Sequence, residues 1–369
     1  MSLFDEIVQP TLLLDEAAAR ANIARAADKA KRLGVRFRPH FKTHQSAEMG
    51  EWFRPEGVTA ITASSVEMAE YFAAAGWKDI TIAFPANVRQ ISQMDALAQQ
   101  VTLGLLAESV ETVEALEKGL RHSADLWIKV DVGGHRTGVD WTQVEEAAAV
   151  ARAAQAGRHL RLRGLLTHAG HTYAERGEAA VRQVYDESVA RILSVRQALA
   201  GMGLGDLEIS VGDTPSVSLV EDLGPVNEIR PGNFVLYDAM QLAQIEACRA
   251  EDVAAALACP VVALHPQRNE AVIYGGAIHL SKDTFQYGEA RAFGLVCLPQ
   301  GERWGAPLAG AYVRGNSQEH GILRMVAEDL ARLKVGDVVC VIPAHSCLTV
   351  QVMRRYRTLD GRWVETLNH

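Results

Sequence analysis

A chain of 369 residues is too long for one small core, and at about 150 residues per domain it calls for two domains. The composition is 48% hydrophobic and 22% charged, which suits a folded enzyme and excludes a disordered chain. A net charge of −8, with no block of Lys or Arg, argues against nucleic acid as a partner, and no apolar run approaches the ~18 residues of a membrane span.

In chain order, Met1-Ser2-Leu3-Phe4-Asp5-Glu6 lacks the basic and apolar regions of a signal peptide. Thr11-Leu12-Leu13-Leu14 reads as a strand that precedes the first repeating unit. The alanine-rich stretch 17–33 predicts a helix. Strands are then expected at 35–39, 58–62, 80–84, 101–106, 126–130, 162–167, 207–211 and 228–230. Helical patterns fill most gaps, at 65–75, 109–120, 141–154 and 178–199; the last gap is short. This predicts an α/β fold, a (β/α)₈ TIM-type barrel over residues 16–245. A doubly wound open sheet is the competing architecture. The barrel is favoured because polar motifs follow several successive strands, and only a barrel brings all those ends to one mouth. After residue 245 the pattern becomes short β-like runs at 261–264, 271–274, 293–296 and 338–342, separated by Gly, Pro and Asp turns. Residues 1–15 and 246–369 are therefore expected to form a second, mostly antiparallel β domain. The five cysteines, at 248, 259, 297, 340 and 347, are unclustered and odd in number. They read as reduced thiols of a cytoplasmic protein.

Lys42 stands in Arg38-Pro39-His40-Phe41-Lys42-Thr43-His44, just past the first barrel strand. Barrel enzymes place reactive groups at the C-terminal ends of strands. A lysine attacks a carbonyl only as the neutral amine, and burial or nearby cations favour that form; Arg38, His40 and His44 are the neighbours in sequence. Ser210-Val211-Gly212-Asp213-Thr214-Pro215 and Arg230-Pro231-Gly232-Asn233 follow strands seven and eight. In barrels those loops often bind phosphate, and glycine lets backbone N–H groups come close to an anion. Polar clusters follow strands five and six as well: Asp131 to Gly138, with Arg136, and Thr167 to Tyr173, with His168. An arginine fork can hold an anionic oxygen, and Tyr or His can orient a ring or move a proton. Near the end, His345-Ser346-Cys347 follows an apolar strand. On an extended segment, residues two apart face the same way, and imidazole with thiolate suits zinc. Gln318-Glu319-His320-Gly321 offers further polar groups that could support such a pair.

These segments, in this order and spacing, resemble the fold-type III pyridoxal-phosphate enzymes of the D-serine dehydratase and D-threonine aldolase group. The resemblance covers nearly the whole chain and implies an alanine-racemase-like barrel with a C-terminal β domain, in a homodimer. It makes Lys42 the Schiff-base lysine and the base at Cα. It places Arg136 near the phenolic oxygen of pyridoxal 5'-phosphate, and His168 and Tyr173 beside the ring or phosphate. Gly212, Asp213, Thr214, Gly232 and Asn233 become the phosphate cup. His345 and Cys347 become ligands of a divalent metal, zinc ahead of manganese or magnesium, that contacts the substrate β-hydroxyl. The implied activity is that of a lyase on a D-3-hydroxy amino acid, foremost β-elimination to a 2-oxo acid and ammonia. Retro-aldol cleavage to glycine and an aldehyde is the alternative. Racemisation is a lesser one, with Tyr312 as a formal second acid/base. Where many members carry Asp-Ala-Gly, this chain has Tyr274-Gly275-Gly276, which leaves the substrate open.

Overall fold

In the computed structural model, which describes residues 2–367, parallel strands pair in the order Arg36–Phe37, Glu228–Ile229, Glu208–Val211, Leu160–Leu166, Ala124–Asp131, Thr102–Ala107, Asp79–Pro85 and Ile61–Ala63. The ladder then closes on itself. His40 bridges Thr62 in parallel register, the Thr62 N–H donates to the Pro39 carbonyl, and the Phe41 N–H donates to the Thr62 carbonyl. Closure leaves this sheet without an edge, so the (β/α)₈ expectation holds over the open sheet. The strands are apolar runs because both faces are covered; Thr102–Ala107, for example, is buried at every position after its first residue.

Helices follow the strands where serine or aspartate caps them. The Ser65 and Ser109 hydroxyls accept from the N–H groups of Met68 and Thr112 and start Val66–Ala74 and Val110–Gly119. Some elements depart from the expected string: the second barrel strand is Ile61–Ala63 instead of 58–62, and the helices Ala47–Glu51 and Ile91–Ala98 occupy gaps for which none was read. The short last gap does hold a helix, Thr214–Leu219.

The segment leading to Lys42 is fixed by packing. Phe41 is fully buried, with its ring 4.9 Å from Phe53, 4.9 Å from Phe72 and 5.2 Å from Trp77, centroid to centroid. Burying such a ring contributes about 1.5–3 kcal/mol, and aromatic pairing adds about 0.5–1.5 kcal/mol. That anchor holds one side of residue 41 in the core and limits where the next side chain points.

The molecule divides into two compact units. One comprises Arg25–Lys42 and Phe53–Gly232; the other takes the chain up to Ala24, Thr43–Trp52 and everything from Asn233 onward. The divisions thus fall at 24/25 and 232/233 instead of the expected 15/16 and 245/246, and Thr43–Trp52 groups with the β unit.

The β unit is built on a nine-stranded sheet, ordered Glu270–Tyr274, His320–Arg324, Tyr312–Asn316, Gly294–Cys297, Val338–Pro343, Ala255–His265, Thr11–Leu14, Arg355–Thr358 and Trp363–Glu365. Glu270–Tyr274 also pairs with Ala255–His265, which rolls the first six strands into a closed ring. Every pairing in this sheet is antiparallel except that of Thr11–Leu14 with Arg355–Thr358. The N-terminal strand joins this unit, as its position in the sequence suggested. Among the described residues no helix is long and apolar enough to cross a membrane.

Candidate active site

At the C-terminal end of the barrel strands, Lys42 faces a field of cations and neutral imidazoles. Lys42, Arg230 and His168 all act electrostatically on His40; Lys42, Arg136 and Arg230 act on His168. In both rings burial is the larger cause, and together with these cations it holds the imidazole well below its ordinary value. Both histidines are therefore uncharged near neutral pH. The His40 Nδ1 accepts from the Lys42 N–H at 3.4 Å. Of the three sequence neighbours of Lys42, only His40 joins this cluster within the barrel unit. Arg38 runs back toward the strand starts, where its guanidinium donates to Glu228 and Asp79. His44 belongs to the β unit, where its Nδ1 accepts from the Ser46 N–H and burial pushes the ring down to about 3.

A cavity of about 270 Å³ opens here, lined by Lys129, Asp131, Gly134, Arg136, Thr137, His168, Gly170 and His171. Asp131 shapes one wall: a single carboxylate oxygen accepts from the N–H groups of Gly133, Gly134 and His135 at 2.9, 2.9 and 3.1 Å. The His171 Nδ1 is buried with no hydrogen-bond partner. A buried orphan acceptor or donor beside an open cavity fits a polar ligand at this place.

The loops after strands six to eight meet in the same unit. The His168 Nδ1 pairs with the Gly212 carbonyl, and the Thr214 N–H donates to the Tyr173 hydroxyl at 3.4 Å. A Cβ on Gly212 would lie 2.9 Å from the Arg230 Cβ and 3.0 Å from its backbone carbonyl, so only glycine fits between these two loops. Gly232 is buried directly after the eighth strand. Two expected cup residues are committed elsewhere through their side chains. The Asp213 carboxylate caps Thr214–Leu219, accepting from the Ser216 N–H at 2.7 Å and the Thr172 hydroxyl at 3.1 Å; burial raises it to about 6. It builds the loop, and an anion would not seek it. Asn233 falls in the β unit, and its amide donates to Asp238 at 2.6 Å and Ser346 at 3.0 Å. A side chain already bound in this way has no donor left for a phosphate.

In the β unit, His345 caps the helix Ser346–Met353 from extended backbone, so Cys347 lies in a first helical turn and not on a strand. The expected extended geometry is thus corrected, yet the imidazole and the sulfur still hydrogen-bond one another. The His345 Nδ1 pairs with the Asp283 carboxylate at 2.7 Å. Burial alone would lower this imidazole; the Cys347 sulfur and Asp283 outweigh it and raise it to about 11. Two soft and borderline donors that favour positive charge at one point fit a divalent metal. Cys347 also contacts the Thr43 hydroxyl at 3.2 Å and the Asn233 amide at 3.8 Å. No group of three or more His, Cys, Asp or Glu able to hold a metal occurs among the described residues, so the protein offers the pair alone. His320 is exposed on its strand, opposite Tyr274. The Tyr312 ring packs at a tilt against Tyr287, with centroids 5.7 Å apart.

Residues 14–240 match the model of the alanine racemase N-terminal domain, and residues 254–359 match that of the putative serine dehydratase domain. The chain belongs to the fold-type III pyridoxal-phosphate enzymes of the D-serine dehydratase and D-threonine aldolase group. Among its relatives is the D-threo-3-hydroxyaspartate dehydratase of Delftia sp. (strain HT23), 31% identical over 365 residues, covering 95% of this chain and 94% of that one. The solved structure of that dehydratase superposes with a TM-score of 0.90 at 29% identity over the full length of both chains. The D-serine dehydratase of Dictyostelium discoideum is 25% identical and covers 95% of this chain and 93% of its own. The 3-hydroxy-D-aspartate aldolase of Paracoccus denitrificans (strain Pd 1222) is 26% identical, with 98% and 91% covered.

For a member of this group, four residues of the chain carry more than their motifs suggested. Lys129 is buried in the barrel, its amine donating to the Val130 carbonyl at 3.0 Å; burial first, then Arg230 and Arg136, push it down to about 8. Its signal was a lysine inside the apolar run 126–130. Arg230 was read only as part of a loop. Its guanidinium in fact points into the barrel, donating to the Ser210 hydroxyl at 2.7 Å and to the Thr167 carbonyl. Burial lowers it to about 10, which leaves it charged. Asp238 and Asp283 attend the His345–Cys347 turn from far off in sequence and have no motif of their own.

Proposed function

We propose that this chain is a pyridoxal-phosphate- and metal-dependent lyase of D-3-hydroxy amino acids, acting by β-elimination to a 2-oxo acid and ammonia. The observation that carries this reading is the His345–Cys347 contact. In the Delftia dehydratase a histidine and a cysteine at the same spacing have each been changed to alanine, the cysteine variant being in the metal-free form. The unpartnered His171 nitrogen, the cationic cluster and the glycine loops fit the cofactor. When bound, the cofactor supplies an electron sink for the pair released at Cα. The metal, zinc by its His and Cys donors, supplies Lewis acidity toward the β-hydroxyl.

The chain's own residues do the rest. Lys42 holds the cofactor through Nζ and, once freed by substrate, takes the Cα proton on that atom. Arg136 and Arg230 hold negative charge on the ring side, while neutral His40 and His168 orient groups without competing for the proton. Tyr173, with the backbone N–H groups of Gly212, Thr214 and Gly232, receives the phosphate. A cytoplasmic homodimer belongs to the same reading: among the described residues none of the five cysteines is in a disulfide, as a reducing compartment maintains.

Retro-aldol cleavage is the second reading, favoured by the likeness to the Paracoccus aldolase. D-serine, D-threonine and D-threo-3-hydroxyaspartate should be assayed in parallel for 2-oxo acid with ammonia and for aldehyde with glycine. Aldehyde as the main product would replace the first reading with the second; neither product would end both. His345→Ala is expected to lose bound metal and to lower kcat by about 10²–10³-fold, the size of a several-kcal/mol Lewis-acid contribution. Turnover insensitive both to this change and to chelator would remove the metal from the mechanism. Gly212→Ala should weaken cofactor retention on dialysis and cost about 1–3 kcal/mol of stability, since backbone must shift. An alanine variant that keeps its cofactor as wild type does would show the loop to be more compliant than its packing implies.

A further inference from the structure

Asp283 lies in a turn that the fold over-determines. Ser281, two residues before it, has φ of 72°, a left-handed conformation that costs a non-glycine residue about 1–3 kcal/mol. Four hydrogen bonds hold the turn against that strain. The Asp283 N–H donates to the Ser281 hydroxyl at 3.2 Å, and the Asn316 amide donates to the Ser281 carbonyl at 2.9 Å. The Lys282 amine donates to the Asn316 carbonyl at 3.0 Å, and the Thr349 hydroxyl, on the helix that His345 caps, donates to the Leu280 carbonyl at 3.2 Å. The product of this scaffolding is one contact, Asp283 Oδ2 to His345 Nδ1 at 2.7 Å.

We infer that Asp283 is a positioning residue for the metal: its carboxylate accepts a hydrogen bond from the His345 Nδ1–H, which fixes the ring and leaves the Nε2 lone pair for the ion. This rests on the metal reading given above. A ligand histidine must present one unprotonated nitrogen, and the hydrogen bond at the other nitrogen decides which. The bonded carboxylate also raises the basicity of the ligating nitrogen, whereas a neutral acceptor would fix only orientation. Asp283 touches neither substrate nor cofactor in this assignment and acts through His345.

The test is Zn²⁺ affinity of the holoenzyme, measured by competition with a chelator, in wild type and in the Asp283→Ala, Asp283→Asn and His345→Ala variants. Wild type should bind Zn²⁺, and His345→Ala should not. Asp283→Ala should bind about 10–100-fold more weakly. Asp283→Asn should fall between, because the amide oxygen still accepts from Nδ1 without the charge. The cofactor absorbance and the thermal unfolding midpoint should stay at wild-type values in both Asp283 variants. Wild-type Zn²⁺ affinity in Asp283→Ala, with binding still dependent on His345, overturns this inference alone. Wild-type protein that binds no Zn²⁺ through His345 overturns the metal reading and this inference with it.

Discussion

Lys42→Ala should abolish turnover, by at least about 10⁴-fold, and should strip the protein of its cofactor absorbance. The size follows from losing two roles at one atom: covalent retention of the cofactor and general-base removal of the Cα proton, the latter alone worth about 10²–10⁴-fold. The surroundings cannot supply a substitute base. His40 and His168 are held uncharged by burial and by the cations around them, and an imidazole depressed that far is a poor proton acceptor. Arg136 and Arg230 are donors only. Lys129, another amine lining this cavity, has its Nζ bound to the Val130 carbonyl. The Phe41 ring in its aromatic pocket keeps the segment in place whichever side chain follows, so folding should survive the change. Absorbance, borohydride reduction and a product assay on the same sample provide the check. Activity within tenfold of wild type would remove Lys42 from the centre of the mechanism.

The second large effect lies at the other end of the barrel and concerns stability. Glu228 is fully buried and accepts from Arg36 Nε at 2.6 Å, Arg38 Nε at 2.7 Å and the Ser210 hydroxyl at 2.6 Å. Burial would raise this carboxyl, but Arg38 and Arg36 hold it down to about 2, against an ordinary value of 4.5. A carboxylate depressed on folding stabilises fully above its unfolded value and loses that contribution as pH falls toward its folded one. The window is therefore pH 4.5 down to about 2, and at 1.36 kcal/mol per unit the contribution is about 3 kcal/mol. Glu228→Gln would leave two guanidinium groups facing a neutral amide, one of them on the buried Arg38, and should cost about 3–5 kcal/mol at pH 7. Denaturant unfolding of both proteins at pH 7 and pH 3 measures this. The gap between them should narrow on acidification, and equal stability at pH 7 would mean that the network contributes nothing.

Much of this architecture was legible because barrel strands are apolar on both faces and helices are amphipathic, so the two periods alternate visibly along 36–229. The barrel was legible from the polar motifs at successive strand ends, but the bridge between His40 and Thr62 that joins its first and second strands was not. The motif order pointed to Lys42, Arg136, His168, Tyr173 and Gly212, and the barrel unit does gather them. That the Asp213 side chain serves as a cap and the Asn233 side chain as a bracket was not legible, because a polar residue beside glycine looks the same in either role. Asp283 lies 62 residues before His345, and only a folded turn can bring such a pair together. Lys129 was visible in the sequence, since a charge within an apolar strand asks for a reason.

Thr11–Leu14 lies between Ala255–His265 and Arg355–Thr358, with the whole barrel unit intervening in the chain. During synthesis this first strand must therefore wait, unpaired, for partners more than 200 residues away. Most barrel strands meet neighbours a few dozen residues distant, the pairing of Arg36–Phe37 with Glu228–Ile229 being the exception, and can set earlier, while this strand's pairings form against a large loop-closure entropy. Aggregation during expression or refolding should accordingly begin at the waiting strand Leu12-Leu13-Leu14 and its late-arriving partners.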